Sequence, residues 1–234
     1  MRIGIIGAMA SEVDGLKAVM SDMRAEKISS VEFCCGLING CETVVAEAGI
    51  GKVNAAVTAQ TMILKYGVDC VINSGVAGGL DESLNIGDVV IASRTAEHDM
   101  DTTPCGDEAG YITGLNRVYM DCDEKLVRLL CECTREMGIH TEVGTIVSGD
   151  QFICRDDQRE KLIGVFGGKA AEMEGAAIGH VCAMNGVKFA VLRAISDGAN
   201  SDSTMTFPEF CKMASENSIE IMKRMLTKLA DTEE

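Results

Sequence analysis

Three segments of the chain place acidic side chains directly beside short apolar runs. Glu12 follows RIGIIGAM, Glu172 and Glu174 flank a methionine ahead of GAAIGH, and Asp197 follows VLRAIS. A carboxyl group in a partly dry cleft has a raised pKa and can give a proton to a leaving group, while a second carboxylate can take a proton from water. These residue types therefore indicate acid–base hydrolysis, provided that the fold brings them together.

Each of these residues also has a purely structural interpretation. Glu12, in the first turn of a predicted helix, would interact favourably with the helix dipole by ~0.3–1 kcal/mol. Glu172 and Glu174 would form an acidic helix start, and Ser196 with Asp197 would cap or turn the chain. The residues alone leave both interpretations open.

Other polar and aromatic side chains near these segments need partners too. Phe152 follows SGDQ at a predicted strand end, where its ring either packs in the core or stacks on a base. Arg193 lies inside an apolar strand and must find an anionic partner or water. The segment EHDMD at 97–101 matches no zinc or calcium spacing, which favours a solvated acidic loop over a metal site.

The elements that position these residues follow from the hydrophobic pattern. Short β-branched runs predict strands at 2–9, 31–37, 42–48, 69–80, 86–99, 141–150 and 187–196. Helical spacing predicts helices from Ser11 to Met20 and at 52–66, 123–138, 156–165, 172–186 and 207–229. The alternation predicts one α/β domain over 1–234, with a mostly parallel sheet covered on both faces.

Ligands of such sheets bind beyond the carboxyl ends of the strands. Four predicted strand ends carry small or polar residues, namely Ala8–Met9, Ser74–Gly75, Gly149–Asp150 and Ser196–Asp197. We therefore expect the chemistry at one rim of one sheet.

Composition excludes several classes of function. The net charge is −15, from 21 Lys and Arg against 36 Asp and Glu, so neither a nucleic acid nor a membrane surface is an expected partner. The first strand is followed by no dinucleotide-binding glycine motif, and the chain has no Walker A motif. Without a signal peptide or an apolar stretch of ~20 residues, the chain is predicted to be cytoplasmic, and its eleven cysteines to be reduced and buried.

Taken together, the motifs resemble the 5′-methylthioadenosine/S-adenosylhomocysteine nucleosidases of the nucleoside phosphorylase superfamily. The resemblance runs from residue 1 to about 229 and rests on GIIGAM…E, GIGKVNAA, INSGVAGGL, HD, IVSGDQFI, EMEGAAIGHVC and RAISD. It implies a three-layer α/β/α fold with a central, mostly parallel mixed sheet. It also implies a homodimer whose partner subunit contributes to the 5′ pocket, and neither a cofactor nor a metal.

The resemblance further implies hydrolysis of the N-glycosidic bond of 5′-substituted adenosines, with free adenine as a product. Glu12, helped by Arg193, would activate water, and Asp197, positioned by Ser196, would protonate the purine. The implied substrate-binding residues are Met9, Ile50, Val76, Phe152, Ile153, Glu172, Met173, Glu174, Ser196 and Phe207. Among these, Glu174 would bind the ribose hydroxyls and Phe152 would stack on adenine.

The chain departs from the family pattern at two places. Val76 stands where the family usually has a serine that contacts the water, and Ser74 projects to the same face about 7 Å away. Thr102, Cys105 and Asp107 replace residues that are usually apolar or aromatic near the 5′ pocket. A more polar pocket would shift preference toward 5′-deoxyadenosine or toward a polar tail such as that of adenosylhomocysteine.

Two alternatives remain open on the sequence. A phosphorylase on the same fold would use phosphate in place of water, but it needs a cationic, glycine-rich site where this chain has Glu12. A nucleoside-binding protein without turnover would have no need of both an acid and a base, which Asp197 and Glu12 would supply.

Overall fold

In a computed structural model the chain forms a mixed sheet with helices on both faces. Residues 1–197 and 207–231 are described, without the side chains of 197, 207–212 and 231. The strands are β1 Arg2–Gly7, β2 Ser21–Ile28, β3 Val31–Ile38, β4 Cys41–Glu47, β5 Cys70–Gly79, β6 Val89–Glu97, β7 Tyr119–Asp121, β8 Thr141–Ser148, β9 Gly168–Glu172 and β10 Lys188–Asp197. The helices are α1 Ala10–Lys17, α2 Lys52–Tyr66, α3 Glu124–Glu136, α4 Asp156–Phe166, α5 Gly175–Asn185 and α6 Phe207–Asp231.

The sheet has the strand order β10-β6-β8-β9-β5-β1-β4-β3-β2, with β7 paired to β6. Because β10 also pairs with β5, strands β5, β10, β6, β8 and β9 close into a ring. β1, β5 and β10 run parallel to one another, as do β6, β8 and β9. The α/β fold with a mixed central sheet, predicted from the sequence, is confirmed.

The two sets of strands meet at their carboxyl ends. β5 and β9 pair antiparallel, with Gly78 opposite Ala171. The residues that end β5 and β10 therefore face those that end β8 and β9, although the two sets run in opposite directions. The sequence predicted that the site lies at a single rim of one mostly parallel sheet. In the structure, closure of the ring instead brings together the carboxyl ends of two sets of strands that run in opposite directions.

Two apolar clusters lie on opposite faces of the sheet. Each cluster joins the sheet to the helices on that face, which gives three layers. In β1, Ile6 packs with α2 and α5 on one face, whereas Ile3 and Ile5 pack with α1, α3 and α6 on the other. Both faces of β1 are buried, which explains why this strand is a continuous apolar run without alternation.

Three elements differ from the sequence prediction. β2 was missed because its side chains are almost all exposed, so the strand has no alternating apolar face. The first helix ends at Lys17 instead of continuing through Met20, and Val19 is exposed. The residues 168–172, partly assigned to a helix, form β9, whose small residues carry no helical or strand period.

Cysteine burial follows the prediction only in part. Cys34, Cys41, Cys70, Cys122, Cys133 and Cys182 are buried, whereas Cys105 and Cys154 are exposed and contradict it. Among the residues that the structure describes, no helix is long and apolar enough to cross a membrane. The cytoplasmic location stays a prediction.

Candidate active site

A cleft opens where the ends of β1, β5, β9 and β10 meet. It holds about 790 Å³ of empty space, part of it open to solvent, which is a suitable size for a small-molecule ligand. Its described lining residues are Ala8, Met9, Glu12, Ile50, Val76, Ala77, Gly78, Gln151, Phe152, Ile153, Ala171, Glu172, Met173, Glu174 and Ser196. Residues from six separate parts of the sequence therefore share one cavity.

Glu12 lies at the start of α1 with its carboxylate against this cleft. Its side chain is 1% exposed. Oε2 accepts hydrogen bonds from the backbone N–H groups of Ala8 and Met9, at 2.6 and 3.0 Å, and Oε1 accepts one from Val76 at 3.1 Å. Glu12 thus accepts hydrogen bonds at the start of the helix and also presents a fixed carboxylate to the cleft.

Gly75 in β5 lets Arg193 and Glu12 approach each other. A β-carbon at this position would overlap both Arg193 Nη1 and Glu12 Oε1. The overlap is with two buried groups that cannot move aside freely, so the site requires glycine here. The segment INSGVAGGL therefore contributes two features to the site. One is the glycine at 75, which leaves room for Arg193 and Glu12, and the other is the N–H donor of Val76.

Arg193 is a fully buried cation beneath the cleft, with an exposed fraction of 0%. Nη2 donates to Asn73 Oδ1 and Glu172 Oε2, and it lies 3.5 Å from Glu174 Oε2. Burial alone would lower the pKa of Arg193, but the carboxylates of Glu172, Glu174 and Glu12 raise it above its ordinary value. The anionic partner that the sequence required is thus a carboxylate cluster.

Glu172 has both carboxylate oxygens engaged by protein donors. Oε1 accepts from the Ser148 hydroxyl and from Gly175 N at 3.0 Å, and Oε2 accepts from Arg193, from Glu174 N at 3.1 Å and from Gly175 N at 2.8 Å. The carboxylate borders the cleft, but its hydrogen bonds hold Arg193 and the start of α5.

Glu174 is the buried carboxylate with the fewest protein partners in this cluster. Oε1 accepts one hydrogen bond from Gly51 N at 2.9 Å. Burial raises the pKa of Glu174 to about 7, Glu172 adds to the rise, and Arg193 opposes it. A carboxyl group in this state can exchange hydrogen bonds with the hydroxyls of a ligand at little cost.

Most of the remaining wall of the cleft is apolar. Met9, Ile50, Val76 and Met173 line it together with Phe152 and Ile153. Phe152 is 63% exposed, so the core-packing interpretation of its ring is wrong. An exposed ring at the mouth of a cleft is available to stack on a flat ligand.

Ser196 also lines the cleft, and its hydroxyl donates to Ala77 O at 3.4 Å. The backbone of Asp197 pairs opposite Gly78 of β5, another lining residue. The side chains of Asp197 and Phe207 lie outside the described residues. Ser74, which was predicted to project to the same face as Val76, is buried and is not among the described residues of the cleft wall.

Sequence reasoning missed a charged cluster beside the cleft. The solvated loop predicted at 97–101 is wrong at its start, since Glu97 ends β6 and is 8% exposed. Its carboxylate and that of Asp99 both bind the ammonium of Lys52. Lys52 lies within the motif GIGKVNAA, but only the fold reveals that it meets residues 45 and 47 positions away.

Known proteins resemble this chain along its whole length. The model of the phosphorylase superfamily matches residues 2–227. The 5′-methylthioadenosine/S-adenosylhomocysteine nucleosidase of Aeromonas salmonicida is 41% identical over 231 residues, covering 98% of this chain and 100% of that protein.

Solved structures agree in fold. The nucleosidase of the same name from Neisseria meningitidis, in complex with methylthio-immucillin-A, superposes with a TM-score of 0.91 at 35% identity, over 97% of this chain and 99% of that one. A structure named futalosine hydrolase, from Helicobacter pylori, gives a TM-score of 0.90 at 34% identity, over 97% and 98%. The chain therefore belongs to the phosphorylase superfamily and, within it, to the family of the 5′-methylthioadenosine/S-adenosylhomocysteine nucleosidases.

Proposed function

We propose that this protein hydrolyses the N-glycosidic bond of 5′-substituted adenosines and releases adenine. The observation that carries the proposal is the joint placement of Glu12, Glu174, Phe152 and Ser196 around one cleft of nucleoside size. Each group faces the part of a nucleoside that its chemistry suits. Phe152 stacks on the base, Glu174 accepts the ribose hydroxyls, and the apolar residues around Met9 and Ile50 surround the 5′ substituent.

Glu12 is the group that takes a proton from the attacking water. Its three backbone N–H donors orient the carboxylate, so little reorganisation is needed when the water loses its proton. General-base catalysis of this kind contributes about 10²–10⁴-fold. Val76 supplies its N–H to this carboxylate, whereas its side chain cannot bind the water.

The carboxylate cluster favours the positive charge that develops on the sugar as the base leaves. Glu12, Glu172 and Glu174 surround one arginine, so three carboxyl groups face one buried cation. This arrangement binds a cationic ring better than the neutral substrate, which selects for the transition state. Within it, Glu172 acts as a positioning residue for Arg193 because its oxygens already bind the protein.

Asp197 protonates the departing purine. Support comes from its neighbours, since Ser196 and Gly78, which flank its backbone along β10 and across to β5, both line the cleft. A purine that is protonated as it departs is a far better leaving group than a purine that departs as an anion. Hydrolysis therefore needs an acid beside the base.

Water, not phosphate, is the proposed nucleophile. The N–H groups of Ala8, Met9 and Val76, which a bound anion would need, already donate to Glu12. The described residues of the cleft wall include no lysine or arginine. A phosphate here would face a fixed carboxylate, and the nearest cation, Arg193, already faces three carboxyl groups, so phosphorolysis is disfavoured.

Adenine release measured with and without phosphate tests this function. We expect free adenine from methylthioadenosine, adenosylhomocysteine or 5′-deoxyadenosine at a rate that phosphate does not change, with a free sugar as the second product. Futalosine belongs in the substrate panel because a similar structure carries the name futalosine hydrolase. A strict phosphate requirement, with a sugar 1-phosphate as product, would contradict hydrolysis.

The protein acts as a homodimer through one apolar face of α2. Val53, Val57 and Leu64 are exposed on this helix, and Met184 is exposed on α5, which packs beside it. Adjacent exposed apolar residues are typical of a protein–protein contact. Thr102, Cys105 and Asp107 do not line the described wall of their own cleft, so they would reach a 5′ pocket only across such an interface.

Introducing a charge on this face tests the dimer. We expect the double variant Val53→Asp/Val57→Asp to sediment near the monomer mass of 24.9 kDa, with weaker binding of 5′-substituted substrates, because buried unpaired carboxylates oppose association. Val165→Asp, at an exposed apolar position of α4, is the matched control and should keep the wild-type mass. A monomeric wild-type protein, or a dimeric double variant, would contradict the proposal.

A further inference from the structure

Lys52 has no part in the reaction described above, yet it lies in a largely buried charged cluster beside the cleft. Its ammonium donates to Asp99 Oδ1 at 2.6 Å and to Glu97 Oε2 at 2.9 Å. The three side chains are only 11–19% exposed. Burial alone would lower the pKa of Lys52, but the two carboxylates raise it, so the cation stays charged.

A closed circuit of hydrogen bonds joins Lys52 to Asp99 and Asp150. The backbone N–H of Lys52 donates to Asp150 Oδ1 at 2.8 Å, and the backbone N–H of Asp150 donates to Asp99 Oδ2 at 2.9 Å. The ammonium of Lys52 then returns to the other oxygen of Asp99. A closed circuit of charged hydrogen bonds fixes the relative position of the backbones it connects.

The two backbones in this circuit continue into segments that both line the cleft. Residues 50–51 precede α2, and Gly51, at a φ of 101°, donates its N–H to Glu174. Residues 151–153 follow Asp150 and present Phe152 to the cleft. Neither segment belongs to a helix or strand, so no regular hydrogen-bond ladder holds it in place.

A second contact ties the same cluster to α5. Glu97 Oε1 lies 2.8 Å from His180 Nδ1, and α5, which carries His180, begins directly after Glu174. Two routes therefore connect Glu174 to the cluster. One runs through the N–H of Gly51, and the other runs through α5, which begins directly after Glu174.

We propose that Lys52 is a positioning residue for the hydrolysis, acting through the Gly51 peptide on the ribose-binding carboxylate of Glu174 and holding it at a set distance from the base-binding segment 151–153. The inference rests on the function proposed above. It adds a requirement for a cation that is not among the described residues lining the cleft.

Replacing Lys52 by methionine keeps the length of the side chain and removes the charge. Because a misplacement of about 1 Å can cost about 10²-fold in rate, we expect kcat/KM for methylthioadenosine to fall between ten- and a hundredfold, with a raised KM. Lys65→Met is the matched control: Lys65 also lies on α2 and pairs with Glu26, far along the helix from the cleft, and its loss should leave KM unchanged.

A double-mutant cycle with Glu174→Ala separates positioning from general destabilisation. If Lys52 acts through Glu174, the losses in kcat/KM should not multiply, and Lys52→Met should cost at least threefold less in the Glu174→Ala background. Should Lys52→Met yield no folded protein, Asp99→Asn breaks the same circuit more gently and is read in the same way. Fully multiplicative losses, or an unchanged KM in the folded variant, would overturn the inference.

Wild-type activity keeps the two proposals distinguishable. If the wild-type protein releases no adenine from any substrate in the panel, the proposed function fails and this inference falls with it. If the wild type is active and the Lys52 variants match the Lys65 control, only the inference fails.

Discussion

Glu12→Gln is expected to lower kcat for adenine release by about 10²–10⁴-fold, the usual contribution of a general base. The amide cannot accept a proton from water at neutral pH. Both carboxylate oxygens of Glu12 accept backbone hydrogen bonds. In either orientation of the amide, its NH₂ group would therefore face a backbone N–H donor, and one of these hydrogen bonds would be lost. The measurement is single-turnover release of adenine, with thermal unfolding recorded in parallel.

Asp14→Asn provides the matched control for this variant. Asp14 lies on the same helix, and its side chain is largely exposed to solvent, away from the cleft. It should retain wild-type kcat. An active Glu12→Gln protein, with kcat within a few-fold of wild type, would show that the water is activated elsewhere.

Asp197→Asn should abolish turnover while a nucleoside still binds. Without an acid the purine must leave as an anion, and the missing proton transfer costs about 10²–10⁴-fold. Asparagine keeps the size and polarity of the side chain, so the affinity for methylthioadenosine should change little. The paired measurements are adenine release and equilibrium binding of methylthioadenosine on the same protein preparation.

Asp121→Asn, at an exposed position that ends β7, is the control for the loss of one carboxylate. Undiminished adenine release by the Asp197 variant would mean that another group protonates the base. The wild-type measurement also separates an enzyme from a nucleoside-binding protein, since only the enzyme releases adenine during the binding experiment.

Most of the fold and the positions of the candidate site residues were predictable from local sequence. The runs 2–9 and 187–196 are apolar and β-branched because both faces of these strands are buried, and such runs signal strands without any knowledge of their neighbours. Charged residues that directly follow them mark strand ends. Glu12 and Ser196, both predicted near strand ends, line the cleft in the structure.

Elements without an apolar period were not predictable in the same way. β2 lies at the edge of the sheet and exposes nearly all its side chains, so its residues resemble a loop. β9 is held by pairing with β5 and β8, and its own small residues carry no signal of it. Strand identity in both cases depends on partners that are distant in sequence.

The electrostatic state of the site depends entirely on such distant partners. Arg193 meets Asn73 across 120 positions of the sequence, and Gly51 meets Glu174 across 123. Burial, which raises the pKa of Glu174, comes from side chains of several elements at once. Residue types and their spacing could name the acid, base and sugar-binding candidates, because those roles follow from local chemistry. Long-range packing decides how many protein donors each carboxylate has, and it places Lys52 beside the cleft. The reason is that the state of a charged group is set by its surroundings in space and not by its neighbours in the chain.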